Sequence, residues 1–444
     1  ARTLGYFSLG IWLYNMSSRT EERIKLVMAL TDKILKKTRT KDVDPPPVLE
    51  VKSWISDPDL QPSKTIIDVS QAAPTEPPPD KMLKFMADKV LSDNAVNTYG
   101  PVLGLDELRE SLARQWSSQY KGKISKKNVA ITSGCNQAFC ASIATFTSEN
   151  DEVIVPTPWY FNHHMWLQMA GVKTVPLETD SNMIPIFEKA EALITDRTRA
   201  IVLVSPNNPS GSIYSNELLQ KFYKLCSSNN IRLILDETYK DFHPNVSQPH
   251  KLFENNDWQQ TLTILYSFSK TYRMTGHRVG ALLTSYENLL EVEKVLDTFT
   301  VCPPQLGQYA ANWGLANLES WTSDRRTEIL ERAKHFSKKF EPLSAAGWSL
   351  RGCGAYFAFV DHPFKEGSET LAPLILRDQG ILLMPGTMFY PKDDPHGPRT
   401  FRIAFANIDK NKITTLLERL KNLSYQRFDH KEFMKLNSQI HYQG

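Results

Sequence analysis

Several absences narrow this sequence before any motif is read. No window approaches the roughly 20 consecutive apolar residues that a membrane-spanning helix needs. The five cysteines (Cys135, Cys140, Cys226, Cys302 and Cys353) are scattered, odd in number and form no CxxC pair. That removes a zinc site and a disulfide framework from consideration. Thiols used this way fit a reducing compartment, so a cytoplasmic location is expected. The net charge is only +3 over 444 residues. Such a balance gives no general attraction to nucleic acid or to an anionic membrane. Internal repeats and long low-complexity tracts are absent too. The first twenty residues, ARTLGYFSLGIWLYNMSSRT, hold two arginines and no acid. That composition resembles an organelle transit segment in part, but an ordinary N-terminal arm is the plainer expectation.

What is present has the proportions of a globular protein, with 41% apolar and 23% charged residues. The length exceeds what one compact core usually covers, so two domains sharing one site are expected. Residues 20–40 place apolar side chains at helical spacing, and the prolines of DPPPVLE (44–50) end that helix. A second proline cluster, APTEPPPD (73–80), follows a short strand, TIIDVS (65–70). From 80 to about 320, helical segments near 81–92, 105–119, 136–147, 161–170, 186–194 and 215–229 alternate with apolar runs. These runs are NVAIT (128–132), EVIVP (152–156), VKTVPL (172–177), AIVLVS (200–205), IRLILD (231–236), TILYS (263–267) and VGALLT (279–284). Continuous apolar runs are what strands buried on both faces look like. The expected fold is therefore α/β, a mostly parallel seven-stranded sheet flanked by helices. Residues 321–444 change character and predict a smaller α+β domain. The expected division is an arm and helix at 1–45, a segment at 46–79 packing with the small domain, a large domain at 80–320, and the small domain at 321–444.

In open α/β sheets, ligands sit at the carboxyl ends of the strands. There the sequence puts SGCNQAF (133–139), where Gly134 permits a tight turn and a helix start offers backbone amides to an anion. TPWYFNHH (157–164) supplies aromatic rings, and its His163 and His164 have no metal-ligand spacing, so they read as structural or surface residues. PNNPSG (206–211) offers the Asn208 amide; DETYKDF (236–242) offers the Asp236 carboxylate and the Tyr239 phenol. YSFSKTYRMTGHRVG (266–280) offers Ser267, Ser269, Lys270 and Arg278, with Gly276 and Gly280 expected to let the loop turn. Each piece has an ordinary structural reading. Together they meet the needs of a phosphorylated pyridine aldehyde: an amine to condense with it, a carboxylate for its ring nitrogen, donors for its ring oxygen, and cations and amides for its phosphate.

Over residues 64–423, in order, the sequence resembles the pyridoxal-phosphate enzymes of fold type I, and more narrowly the class I/II aminotransferases. NTYGPVLGLDELR, TSGCNQA, PNNPSG, DETYKDF, SFSKTYRMTGHRVG and FRIAFAN carry the resemblance. It implies pyridoxal 5'-phosphate as cofactor and Lys270 as the Schiff-base lysine and proton shuttle. Asp236 would pair with the ring nitrogen, Tyr239 and Asn208 with the ring oxygen, and Tyr160 would stack on the ring. Ser267, Arg278 and the amides of Gly134, Cys135 and Asn136 would hold the phosphate. Tyr99 would reach the phosphate of a neighbouring subunit, which implies a homodimer, and Arg402 would grip the substrate α-carboxylate. Where the family often has GxP, this chain has Ala72 in SQAAP, beside the expected carboxylate. His277 stands where the family varies.

The implied reaction moves an amino group between an L-amino acid and a 2-oxo acid by a ping-pong route. A lyase or aminocyclopropane-carboxylate-synthase-like enzyme of the same fold, acting by elimination or ring closure, is the alternative. A regulatory protein with a degenerate domain is a third reading, disfavoured by the full set of cofactor residues and by the missing helix-turn-helix pattern. Donor selectivity is expected in the loops near 46–60, 72–79 and 299–305 and around Tyr356.

Overall fold

The computed structural model describes residues 38–428. The chain divides into two compact units, Ala1–Asp44 and Pro45–Gly444. The arm at 1–20 and nearly all of the helix expected at 20–40 lie outside the described residues. The sheets, helices and cavities described below belong to the second unit.

The expected strand TIIDVS shortens to β1 (Ile67–Asp68). Seven strands then build the large sheet: β2 (Val129–Thr132), β3 (Glu152–Pro156), β4 (Lys173–Leu177), β5 (Thr198–Val204), β6 (Arg232–Asp236), β7 (Leu262–Ser267) and β8 (Gly280–Leu283). Their order is β2-β8-β7-β6-β5-β3-β4. Every pair is parallel except those of β8, which runs antiparallel to both β2 and β7. All residues of β2, β3, β7 and β8 are buried, so the continuous apolar runs reflect cover on both faces. One face packs on Leu108, Leu112 and Trp116 of the Asp106–Tyr120 helix and on Leu219 and Phe222 of the Asn216–Ser228 helix. The other packs on Phe139, Leu167, Leu289 and Val292. The helix expected at 186–194 is broken into a turn of α-helix, Phe187–Ala190, and a 3-10 turn, Glu191–Leu193. Only Ala190 of it is buried, too little to anchor a longer helix.

A second sheet is antiparallel, in the order β12-β13-β10-β9: β9 (Ser349–Gly354), β10 (Phe357–Asp361), β12 (Met384–Pro385) and β13 (Thr400–Ile403). β1 pairs in parallel with β11 (Ile381–Leu382). Phe336 of the Glu319–Lys339 helix and Leu416 and Leu420 of the Lys410–Lys421 helix share a core with Phe357 and Phe401, and Ile67 and Val69 are buried in the same core. Among the described residues, no helix is long and apolar enough to cross a membrane, and no group of three His, Cys, Asp or Glu could hold a metal. All five cysteines are free thiols.

Register sets the site. Val204 lies beside Asp236, and Asp236 beside Leu265, so the loops after β5, β6 and β7 begin at one level.

Candidate active site

The loops after the strands open onto one cavity of about 550 Å³. Lys270, Asp236, Tyr239, Asn208, Tyr160, Ser267, Arg278, Cys135, Asn136, Arg402 and Ala72 all reach its wall. These residues are widely separated along the chain; the parallel register and the return of β13 bring them together.

Lys270 sits just past the end of β7, half-buried, and its Nζ donates to the carbonyl of Ala72. Burial pushes its pKa down to about 8, with the Arg402 and Arg278 guanidiniums adding to the shift. Asp236 closes β6 and is 3% exposed. Burial works against its charge, but His163, Thr238 and their hydrogen bonds outweigh that cost, and its carboxyl lies below the usual range. The Thr238 N–H donates to Asp236 Oδ1 at 2.9 Å, and His163 Nε2 stands 3.3 Å from Oδ2. The Cys135 thiol lies 3.7 Å from Oδ1. Burial drives that thiol's pKa well up, so it stays protonated and donates.

Of the two readings of His163, structural or surface, the structure bears out the first: it is 2% exposed, stacked on Phe139 at 4.0 Å and aimed at Asp236. Its place in the first turn of the Phe161–Ala170 helix, directly after a strand, is the signal that could have found it. The Cys135 side chain is a second functional group that the sequence does not single out, since a helix start draws attention to its backbone amide alone. His164 instead stacks on Trp159 at 4.2 Å.

The anion side is built from backbone as much as from side chains. Gly134 has φ +84°, and a Cβ there would run into the Arg278 guanidinium. The 12-residue helix Cys135–Phe146 starts there, with free amides in its first turn. The loop after Lys270 turns differently than expected. Gly276 has no positive φ, and a Cβ there would meet nothing; the left-handed positions are Arg273 (φ 54°) and Arg278 (φ 51°). Gly280 is needed for another reason: a Cβ would lie 2.5 Å from the Gly134 carbonyl carbon.

Arg402, on β13, is 2% exposed. It donates to Asn208 Oδ1 at 3.0 Å and to the Ser70 carbonyl, while its Nε has no partner. The rings of Phe357 and Phe389 lie 4.9 and 5.0 Å from the guanidinium carbon. Burial lowers its pKa to about 10, which still leaves it charged at neutral pH. Tyr239 is 3% exposed and burial raises its pKa well up; burial takes Tyr160 to about 12. Both phenols therefore remain donors. Tyr99 stands apart from the cavity, 83% exposed. Of the selectivity loops, Pro46–Leu49, Ala72 and Ala73 line the cavity, Pro74, Thr75, Glu76 and Tyr356 face a neighbouring one, and residues 299–305 face neither.

The cavity wall thus holds three cations, Lys270, Arg278 and Arg402, against one carboxylate, Asp236, among the described residues. It is made to receive anions around a group that Asp236 can pair with.

Comparison with known proteins gives a consistent picture. Residues 63–420 match the family described as aminotransferase class I and II. An aspartate aminotransferase of Thermotoga maritima is 27% identical over 377 residues, 83% of this chain and 94% of that protein. An aromatic aminotransferase of Arabidopsis thaliana is 26% identical over 394 residues, 86% of this chain and 94% of that one. Among solved structures, a putative kynurenine aminotransferase of Saccharomyces cerevisiae shares the fold with a TM-score of 0.77 at 22% identity, covering 86% of this chain and 96% of its own.

Proposed function

The chain belongs to the class I and II aminotransferases, and on that premise we propose that it moves an amino group between an L-amino acid and a 2-oxo acid, with pyridoxal 5'-phosphate held in the Lys270 cavity. The family is generally dependent on that cofactor. The observation that carries the reading is the surplus of cations around Lys270, an amine with a pKa of about 8. The residues fit the cofactor: only a Cβ-free Gly134 lets the Arg278 guanidinium pack against the start of the Cys135–Phe146 helix, where guanidinium and backbone amides can share a phosphate, and Arg402 keeps a buried Nε–H without a partner, as a carboxylate-binding group would.

When bound, pyridoxal phosphate supplies an aldehyde that condenses with amines and a cationic ring that withdraws electrons from an adjacent C–H bond. Asp236, kept anionic by His163 and Thr238, favours a protonated ring nitrogen. Tyr239 and Asn208 would bond the ring oxygen, and Tyr160 would cover a ring face. Ser267, Arg278 and the amides of Gly134, Cys135 and Asn136 would take the phosphate. Lys270 would anchor the cofactor, and its freed Nζ would be a base matched to near-neutral pH, placed to take the proton from the donor Cα. Arg402 orients the donor by its α-carboxylate. Tyr99, exposed here, would reach the phosphate of a second copy in a homodimer. We also propose that the seven-stranded and four-stranded sheets mark two domains, 80–320 and 321–444, with 46–79 joined to the second through the β1-β11 pair; the distinct apolar cores beside the two larger sheets support this. The free thiols favour a cytoplasmic location.

One experiment tests the reaction. Each amino acid is mixed with cofactor-loaded protein without an oxo acid. A transaminase releases one equivalent of 2-oxo acid per site and stops until an acceptor is added. Continued turnover of a single amino acid would point to the elimination or ring-closing alternative, which the names of the relatives do not favour.

A further inference from the structure

Three cations line the catalytic cavity, and the aminotransferase reading uses all of them. One stretch of the remaining wall is apolar. It is contributed by the short helix Pro47–Ser53 and the residue before it. Val51 of that helix is fully buried against Phe161, Met384 and Phe389, and Val48 packs on the same cluster. Residues 48 and 51 share one face at helical spacing; Leu49 lies about 200° around from Val51 and cannot join them. Leu49 is instead 66% exposed, and it lines the cavity. Phe161 also lines it, with its ring 5.9 Å from the Arg402 guanidinium carbon. A large exposed leucine in a cavity wall is apolar surface left for a ligand to cover.

The cations of the neighbouring cavity, which shares Lys270, are already engaged or solvated. Arg273 pairs with Glu76, Arg325 and Arg332 pair with Glu328, and Lys412 is exposed. A donor with a side-chain carboxylate would have to displace one of those pairs or settle for the solvated Lys412.

Resting on the aminotransferase reading, we propose that the amino donor carries an uncharged apolar side chain, and that Leu49, which shares the cavity wall with Val48 and Phe161, is the residue that selects it. The donor's α-carboxylate sits on Arg402 and its side chain lies along the Pro47–Ser53 helix. The class includes leucine, methionine and phenylalanine; aspartate and glutamate are outside it.

The test uses the full chain loaded with cofactor. Specificity constants for leucine, methionine and phenylalanine should exceed those for aspartate and glutamate by about tenfold or more. Calorimetry with unreactive analogues gives a second readout: 4-methylpentanoate should bind at least about tenfold tighter than succinate. Leu49→Ala should weaken 4-methylpentanoate by roughly 3- to 10-fold and leave acetate, which needs only Arg402, unchanged. Leu49→Arg should reverse the order of 4-methylpentanoate and succinate. A preference for aspartate or succinate in the unaltered protein overturns the proposal, as does an equal effect of Leu49→Ala on 4-methylpentanoate and acetate. If no amino acid yields an oxo acid, the aminotransferase reading falls, and the calorimetry still decides whether the wall selects apolar carboxylates.

Discussion

Two lysines stand near the carboxyl ends of adjacent strands in this molecule, and their surroundings differ. Lys240, four residues after β6, is 2% exposed. Its Nζ donates to Gln119 at 2.9 Å, lies 3.3 Å from Asp241, and sits over the rings of Tyr120 and Tyr266. Asp241 also accepts from Tyr266 at 2.6 Å and from Thr271 at 2.7 Å, and Glu237 accepts from Tyr120 and faces His250 at 3.2 Å. Lys240 itself is thus matched, by a carboxylate, an amide oxygen and two ring faces. Lys270, three residues after β7, has a carbonyl for a partner and two guanidiniums as neighbours. A buried cation that is balanced holds structure; one left unbalanced has a lowered pKa and is available for chemistry. The two regions are also joined, because Thr271 ties the lysine loop to the balanced cluster through Asp241.

That contrast is open to direct tests, the first with the largest effect. Lys270→Ala should lower kcat by about 10⁴-fold, because it removes both anchor and proton carrier. A thermal melt of the same variant should remain cooperative. Lys240→Met should do the opposite. It leaves the half-buried Asp241 without its cation and should cost about 3 kcal/mol in denaturant unfolding. The Asp241 carboxyl is now held below its usual range: burial opposes its charge, and Lys240 and the two hydroxyl donors prevail. The stability that this supplies is present above the unfolded carboxylate pKa and lost as pH falls through the folded value, so in Lys240→Met acid unfolding should begin at a higher pH.

Lys270 should give a pH signature of the other sign. A lysine whose folded pKa is lowered from 10.5 to about 8 binds fewer protons folded than unfolded between those values. Stability of the cofactor-free protein should therefore rise with pH across that window. Below about pH 8, Lys270→Met should be the more stable protein by about 2 kcal/mol after allowing for residual exposure, and the difference should vanish as pH rises to the ordinary lysine value. Urea titrations at several pH values would read it; a pH-independent difference would rule the charge effect out. The smallest effects concern two glycines. Gly134→Ala should weaken cofactor binding about tenfold, because its φ is positive and its Cβ has no room beside Arg278. Gly276→Ala should change neither cofactor affinity nor, by more than about 0.5 kcal/mol, stability, since nothing lies within reach of a Cβ there.

The large sheet is legible from the chain itself because buried parallel strands write continuous apolar runs. All seven runs became strands of one sheet, with ends shifted by a residue or two. The antiparallel direction of β8 is not legible, since burial on both faces erases any mark of direction. The Asp236 environment is only partly legible. His163 and Cys135 come from the first turns of two helices, and the sequence gives no sign that two helix starts converge on one carboxylate. Gly276 misleads for a related reason: a glycine in a loop looks like the turn residue, whereas the left-handed positions fall on Arg273 and Arg278.

Local chemistry, then, is written along the chain. Strand-end residue types point to a cofactor class, because an amine, a carboxylate, a phenol and amides must each be present whatever holds them. Their mutual charge balance is not written there. Whether a lysine is matched, as Lys240 is, or left in surplus, as Lys270 is, depends on which strand ends lie side by side and on what β13 and the Pro47–Ser53 helix bring across to meet them. Electrostatic interactions and apolar cover act through space, so tertiary structure decided them.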